Sequence, residues 1–463
     1  MTTRAQVSGY RFLLQRAEHA LVRRDARMLH DPMRAQRLSM TVGLVLALLV
    51  AAGCGVYGLI RPVGRVADAP IVLNRADGSL YVVVDKKAHP VLNLASARLI
   101  AQTPAAPKTV SGAALRDLPR GPTLGIVGAP NALGPGAAST WSVCDAGGDA
   151  DSPGRTAVVI GDDRGTAAAA DAGILAVVDG RTYLVYRLGS GGAARTVRAR
   201  IDGDSSAVRR ALHLDDAEPR RLSAALAGAI EEVAPLRVPT IPGAGRRGAA
   251  GLPVGTVFAV RGLDGRSEHF VALADGAQPV TPTVAEMFRL ADDSIDDEVA
   301  VVAPSRAAQA PIVHTLAVDH FPARAPKLPA AADVPVICQQ WSRQPGAPAA
   351  LTGLRTGHAL PGGPPVVPVG ADGAGPGVDE IRVAPGSTHD VRLTGMDPRS
   401  TRRNGRVLID DTGMRYGVVD DAAAAALGLG EPGLAPWPIV RLLPVGPDLS
   451  RAQALVARSG FDQ

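Results

Sequence analysis

Aromatic rings, lysines and cysteines are scarce in this chain, and each scarcity removes a class of function. Only 3% of the 463 residues are aromatic, which leaves few platforms for stacking single-stranded nucleic acid. The lysines are Lys86, Lys87, Lys108 and Lys327. None sits in a G-x-x-x-x-G-K-[ST] stretch, so a Walker phosphate loop is excluded. No G-x-S-x-G elbow is present either: the nearest string, GDSSA at 203–207, lacks the closing glycine, and a serine hydrolase loses its usual frame. The histidines are scattered. His314 and His320 are the closest pair after residue 60, and an exposed or core role fits them better than metal ligation. Asp292, Asp293, Asp296, Asp297 and Glu298 form an acidic run without the glycine turn of a calcium loop, and read as a solvated helix end.

Long apolar runs are missing too, with one exception. MTVGLVLALLVAAGCGVYGLI at 40–60 holds 21 residues without a charge, bracketed by Arg37 and Arg61. As a helix it extends about 30 Å, the thickness of a bilayer's hydrocarbon core. One membrane span is therefore expected. The 39 residues before it are too many for the leading region of a cleaved secretory signal. AAGC at 51–54 resembles a lipoprotein cleavage box but has Ala51 where leucine is usual, so Cys54 reads as a small residue within the span.

Charge sets the expected orientation. Residues 1–39 carry eight arginines against three carboxylates, whereas residues 62–463 carry 40 basic against 41 acidic side chains. The net charge of +5 thus belongs to the tail. By the positive-inside tendency the tail stays in the cytoplasm and the large part lies on the far side of the membrane. A large part with balanced charge is also a poor nucleic-acid binder. Within the tail, Tyr10, Leu13, Leu14, Ala17 and Leu21 recur at helical spacing, while Arg11, Arg16, Arg23 and Arg24 fall mostly on other faces. Residues 8–28 are read as an amphipathic helix that Pro32 ends. Its apolar stripe is a candidate docking face for a partner helix or for anionic lipid headgroups, with Arg11, Arg16, Arg23, Arg24 and Arg27 as topology and docking residues. The competing reading is a solvated helix whose arginines only set topology.

Beyond the span two cysteines remain, Cys144 and Cys338. In an oxidising compartment a lone pair suggests one disulfide. Closing so long a loop stabilises by roughly 5 kcal/mol in the chain-entropy limit. A metal site is the weaker option, because neither cysteine has a second cysteine or a histidine within a few residues.

A recurring phrase organises the rest. DGSLYVVV at 77–84, DGRTYLVY at 179–186, GTVFAV at 255–260 and NGRVLI at 404–409 each read as a strand, followed by a turn, a second strand and a short helix. Those helices are expected near 96–100, 207–212, 284–290 and 420–428. A Pro/Gly-rich stretch at 235–253 lies near the midpoint. Trp141 lies three residues before Cys144 and Trp341 three after Cys338, which suggests a duplicated half. The expected class is α+β: one N-terminal transmembrane helix, then an elongated part of four hairpin-plus-helix repeats around a central β-rich domain with twofold-like duplication. The divisions are a cytoplasmic tail at 1–39, a span at 40–60, a linker at 61–72 and a first repeat at 73–118. Central segment one follows at 119–175, repeat two at 176–231 and a Pro/Gly linker at 232–253. Repeat three takes 254–304, central segment two 305–400, and repeat four with the C-terminal tail 401–463.

Several strings carry a family resemblance. They are QVSGYRFL at 6–13, HALVRRD at 19–25, HDP at 30–32, HPVLNLASARL at 89–99, Thr140 and Trp141 with Cys144 and Asp145, DTGMRYGV at 411–418, and APW at 435–437 with Ile439 and Val440. Over essentially its whole length the chain resembles the EccB family, the B component of the type VII (ESX) secretion membrane complex of mycobacteria and relatives. The resemblance implies a single-span protein of the inner membrane with a periplasmic part made of repeat domains around a central β domain, cross-linked by one disulfide, here Cys144 to Cys338. It implies self-association and assembly with an FtsK/SpoIIIE-like motor ATPase, a multipass channel component, a further membrane component and a mycosin protease, to export small helical substrates. The family is often labelled ATPase, which makes ATP a cofactor by label alone. No cofactor-binding, metal or catalytic residue is assignable from the sequence. A structural assembly role is therefore expected, and a nucleotide hydrolase of non-Walker architecture is the alternative.

Overall fold

The computed structural model describes residues 3–24, 32–60, 69–116, 118–134, 136, 138–162, 164–248, 251–291 and 299–458. A first helix, Arg4–Arg23, opens on a capping box in which Gln6 accepts the Thr3 amide at 3.0 Å, and closes on Arg24 in the left-handed region. It starts earlier than the expected 8, and residue 28 lies outside the described residues. Pro32 does not terminate it. Pro32 is instead the first residue of a second helix, Pro32–Ile60, where a missing amide hydrogen costs nothing because first-turn amides have no partner in the helix. Within this helix Leu38–Tyr57 is long and apolar enough to cross a membrane, and none of it is buried by the rest of the chain.

The described residues of 69–458 form five sheets, and four of them repeat one topology. Each is a three-strand antiparallel meander, then a helix, then a short strand returning parallel to the first, in the order third, second, first, fourth. The first unit runs Ile71–Asn74, Leu80–Val84, Lys87–Pro90, helix Leu94–Ala101 and Lys108–Val110. The second runs Ile174–Val178, Arg181–Leu188, Arg195–Ile201, helix Ser206–Ala211 and Arg220–Arg221, and adds an edge strand, Glu231–Leu236, parallel to its third. The third runs Val257–Arg261, Ser267–Ala272, Ala277–Val280, helix Pro282–Ala291 and Ala300–Val301. The fourth runs His389–Thr394, Asn404–Ile409, Arg415–Val418, helix Asp421–Leu427 and Gly433–Pro436.

Local chemistry accounts for the recurrence. The two-residue turns Asp85-Lys86 and Asp179-Gly180 have positive φ at both positions, the hairpin geometry that matches strand twist. After each third strand a polar side chain caps the helix. Asn93 accepts the Ser96 amide, Ser205 that of Val208, Thr281 that of Val284 and Asp420 that of Ala423. Ser205 of the GDSSA string is thus occupied as a helix cap.

The repeats are larger than hairpins. The phrases at 77–84, 179–186 and 404–409 cover second strands, whereas that at 255–260 covers a first strand. His389–Thr394 falls in the stretch assigned to the central segment at 305–400, yet it pairs within the fourth sheet. Glu231–Leu236 occupies the start of the 232–253 linker.

The fifth sheet is central, with strand order Glu380–Arg382, Gly154–Ile160, Thr140–Gly147, Val336–Ser342, Leu351–Gly357, Thr166–Ala168. Its middle pair is antiparallel, with Trp141 opposite Trp341 and Cys144 opposite Cys338. Each half of the chain supplies a hairpin and sends its third strand to the edge of the other half's hairpin. Three apolar clusters bind the units. One joins the central sheet to the second and fourth units, another joins the second to the third, and another joins the first to the fourth.

Candidate functional site

The centre of the middle sheet is where the chain's two halves are locked. Cys144 and Cys338 form a disulfide across 194 residues of sequence, and both are fully buried. Asp145, the next residue, is wholly buried as well. Its Oδ1 accepts the Ser223 hydroxyl at 2.7 Å and the Thr156 hydroxyl at 3.2 Å, and its Oδ2 accepts the Ser223 amide at 2.8 Å. Burial pushes the Asp145 carboxyl up to about 6, against the downward pull of these donors and of the Arg220 charge. Ser223 also caps the helix Ala224–Gly228 by accepting the Leu226 amide. Arg220, itself buried, donates to the carbonyls of Val334 and Pro335 at 2.7 and 2.6 Å, just ahead of the strand that carries Cys338. One carboxylate and one guanidinium therefore tie the second unit to both middle strands.

Other buried polar groups join distant segments in the same way. Asp379 accepts the amides of Thr156, Asp372 and Gly373. Glu380 is held between Arg155 and Arg382. Arg406 makes a two-pronged pair with Asp390 at 2.8 and 2.6 Å. The Tyr416 hydroxyl lies 2.6 Å from the Gly128 carbonyl and 2.9 Å from Asp410, so the fourth unit grips the loop after the first. Burial and the Asp410 charge raise the Tyr416 phenol well above its ordinary value. Arg98 donates at 2.8 Å to the carbonyl of Leu427, near the end of the fourth unit's helix.

The sequence-predicted residues fall on two separate features. Tyr10, Leu13, Leu14, Ala17 and Leu21 lie on the helix Arg4–Arg23 and are all exposed, as are Arg11, Arg16 and Arg24. Arg23 closes that helix, and Arg27 lies outside the described residues, as does the acidic run at 292–298. Cys144 and Cys338 lie in the central sheet. His320 turns its ring against Phe321 and is held below the usual histidine range by burial, with Nε2 3.4 Å from the Pro235 carbonyl. The joint at Asp145 and Ser223 was missed by sequence reasoning. Its one available signal was an acidic residue beside a cysteine in a strand with no other charge.

Catalytic requirements are poorly met by this arrangement. Among the described residues no group of three or more His, Cys, Asp or Glu side chains is placed to hold a metal ion. An open cavity of about 640 Å³ is lined by Arg164, Arg382 and His389. Its arginines are committed to Asp162 and Glu380, and burial keeps the His389 imidazole below its usual range. This donor set does not fit ATP with a magnesium ion, because neither a free phosphate cradle nor a carboxylate pair for the cation is present there. The buried groups instead fix the relative positions of sheets.

Known proteins resemble this chain along its full length. The family model described as "Type VII secretion system ESX-1, transport TM domain B" matches residues 1–462. The chain is 34% identical to the ESX-1 secretion system ATPase EccB1 of Mycobacterium tuberculosis strain H37Rv, covering 98% of this chain and 95% of that one. It is also 34% identical to the ESX-3 secretion system ATPase EccB3 of Mycolicibacterium smegmatis, covering 98% and 90%. Its fold superposes on a chain of an intact ESX-5 inner membrane complex with a TM-score of 0.72, 31% identity, and coverage of 100% and 97%. The EccB3 dimer from the ESX-3 core complex gives 0.70 at 31% identity, with coverage of 84% and 100%. With its apolar helix, its disulfide-locked central sheet and a match spanning nearly every residue, this chain belongs to the EccB family of type VII secretion membrane proteins.

Proposed function

We propose that this protein is a structural component of a type VII secretion inner membrane complex. The tail helix Arg4–Arg23 faces the cytoplasm, Leu38–Tyr57 crosses the membrane, and residues 69–458 stand on the periplasmic side, where they associate with further copies and with other membrane components. The observation that carries this reading is the end-to-end likeness to a chain of an intact ESX-5 inner membrane complex. The exposed stripe of Tyr10, Leu13, Leu14, Ala17 and Leu21 is its docking face on the cytoplasmic side. The "ATPase" in the relatives' names is attributed to the motor partner of the assembly, since the sequence carries no Walker phosphate loop and, among the described residues, the cavity at Arg164, Arg382 and His389 does not fit ATP with a magnesium ion.

Purification of the tagged full-length protein from its native membrane in mild detergent tests this. Recovery is expected in a very large particle together with a motor ATPase and a multipass component. A free monomer or dimer that itself turns over ATP would replace the scaffold by a hydrolase. Arg23→Glu combined with Arg24→Glu is expected to reduce recovery of the large particle without changing the melting of the folded part, and full recovery would remove the docking role from the tail.

A further inference from the structure

The chain holds four asparagines, Asn74, Asn93, Asn131 and Asn404, and only the last is followed by glycine. In the other three the side-chain amide is engaged. Asn74 Oδ1 accepts the Ala76 amide at 3.2 Å, Asn93 caps a helix, and Asn131 Oδ1 accepts the Leu94 amide at 3.3 Å. Asn404 opens the second strand of the fourth sheet and is exposed, and among the described residues its amide has no hydrogen-bond partner. Gly405 stands at a break in the ladder. Arg392 pairs with Arg406 and Leu393 with Asn404, so Gly405 is the extra residue of a bulge in that pairing. On the other side, pairing to the third strand begins at Arg406, opposite Val418. Gly405 therefore has no paired residue in either ladder, and it too is exposed. Asparagine is a thermolabile residue, because the backbone nitrogen that follows it can attack its side-chain carbonyl carbon and close a five-membered imide. Folded chains hinder this in two ways: a side chain on the next residue crowds the ring, and a continuous ladder holds the backbone extended. Glycine removes the first obstacle and the bulge removes the second.

We propose that Asn404-Gly405 is a self-modification site, at which the asparagine is converted to isoaspartate and aspartate in the folded protein. The Gly405 nitrogen gives up its proton to hydroxide and bonds to Asn404 Cγ, and the side-chain nitrogen leaves as ammonia, taking a proton from water. A second water then opens the imide. Entry at the side-chain carbonyl gives aspartate, and entry at the backbone carbonyl gives isoaspartate, with nothing oxidised or reduced. Either product places a carboxylate between Arg403 and Arg406 in sequence. Isoaspartate also lengthens the main chain by one methylene at the residue that pairs with Leu393. The change stays at the open end of the strand, ahead of the fully buried Leu408 and Ile409, so the sheet survives it.

The test is incubation of the full-length protein in detergent, in mildly alkaline buffer made with heavy-oxygen water, followed by proteolysis and mass spectrometry. The peptide containing Asn404 is expected to exchange its amide for a labelled hydroxyl and to appear in two chromatographic forms, while the peptides of Asn74, Asn93 and Asn131 keep their amides. Gly405→Ala should lose most of this conversion without a lower melting temperature, since nothing lies within 4 Å of the Cβ it adds. Retention of the Asn404 amide by the folded protein, over a time in which the denatured chain converts, would overturn the site by showing that the sheet protects it. Equal conversion in the Gly405→Ala variant, or aspartate as the single product, would overturn the ring-closing route.

Discussion

Asp145 costs the fold something at neutral pH and repays it by holding three segments together. Its folded pKa of about 6 lies above the ordinary 3.8, so the folded chain takes up this proton before the unfolded chain does. The sign follows: the group's unfavourable contribution is complete above pH 6 and is relieved as pH falls from 6 towards 4, by roughly 3 kcal/mol in full. Melting of the wild type and of Asp145→Asn at pH 7.5 and at pH 5 measures this. The difference between the two proteins should shift in favour of the wild type at the lower pH, and a constant difference would show that folding does not raise the Asp145 carboxyl into this pH range. The neighbouring disulfide is a different kind of constraint, since it acts on the unfolded chain. Replacing Cys144 and Cys338 together by serine should lower stability by up to about 5 kcal/mol, read as a lower melting temperature under non-reducing conditions. Because both cysteines are fully buried, a reductant should leave the folded protein's disulfide intact until the chain unfolds, which thiol titration over time would check.

Among the elements, the repeat helices make the contacts that decide how units pair. The helix Leu94–Ala101 packs on Asp421–Leu427, and Ser206–Ala211 packs on Pro282–Ala291. The first unit therefore partners the fourth, and the second partners the third. Leu99 and Leu427 are both fully buried in the cluster shared by the first and fourth units. Truncating either to alanine should cost about 2–5 kcal/mol through lost burial and a residual cavity. If the two helices stabilise one another through this core, a double-mutant cycle should return a coupling of at least about 0.5 kcal/mol. Additive losses would mean that the two leucines sit in independent cores.

For the whole molecule, the consequence is cooperativity. The cluster that includes Trp141 and Trp341 also contains Ile174 and Leu226 of the second unit and Val391 and Ile439 of the fourth. The second cluster continues from there into the third unit, and another carries the first onto the fourth. Residues 69–458 should therefore unfold in a single calorimetric transition in the full-length protein. Two resolved transitions would show that the paired units melt apart from the central sheet. A rigid body of this kind suits an assembly component, whose surfaces must keep fixed spacings while partners bind them.

Much of this was legible in the residues. The uncharged run, the arginine-rich tail and the recurring strand, turn, strand and helix are local signals, encoded within a few positions of where they act. A chain with two cysteines beyond its span also has a single intramolecular pairing to choose from. The tertiary structure alone decided the rest. The returning strands Lys108–Val110, Arg220–Arg221 and Ala300–Val301 are too short to show a period, and only their parallel partners make them strands. His389–Thr394 belongs to the fourth sheet by its register with Asn404–Ile409, which no composition reports. The exchange of edge strands between halves and the joint of Asp145 with Ser223 both unite residues that are distant along the chain. Local propensity is silent on such contacts, because they form only when burial of the shared cores outweighs the entropy of closing the loops between them.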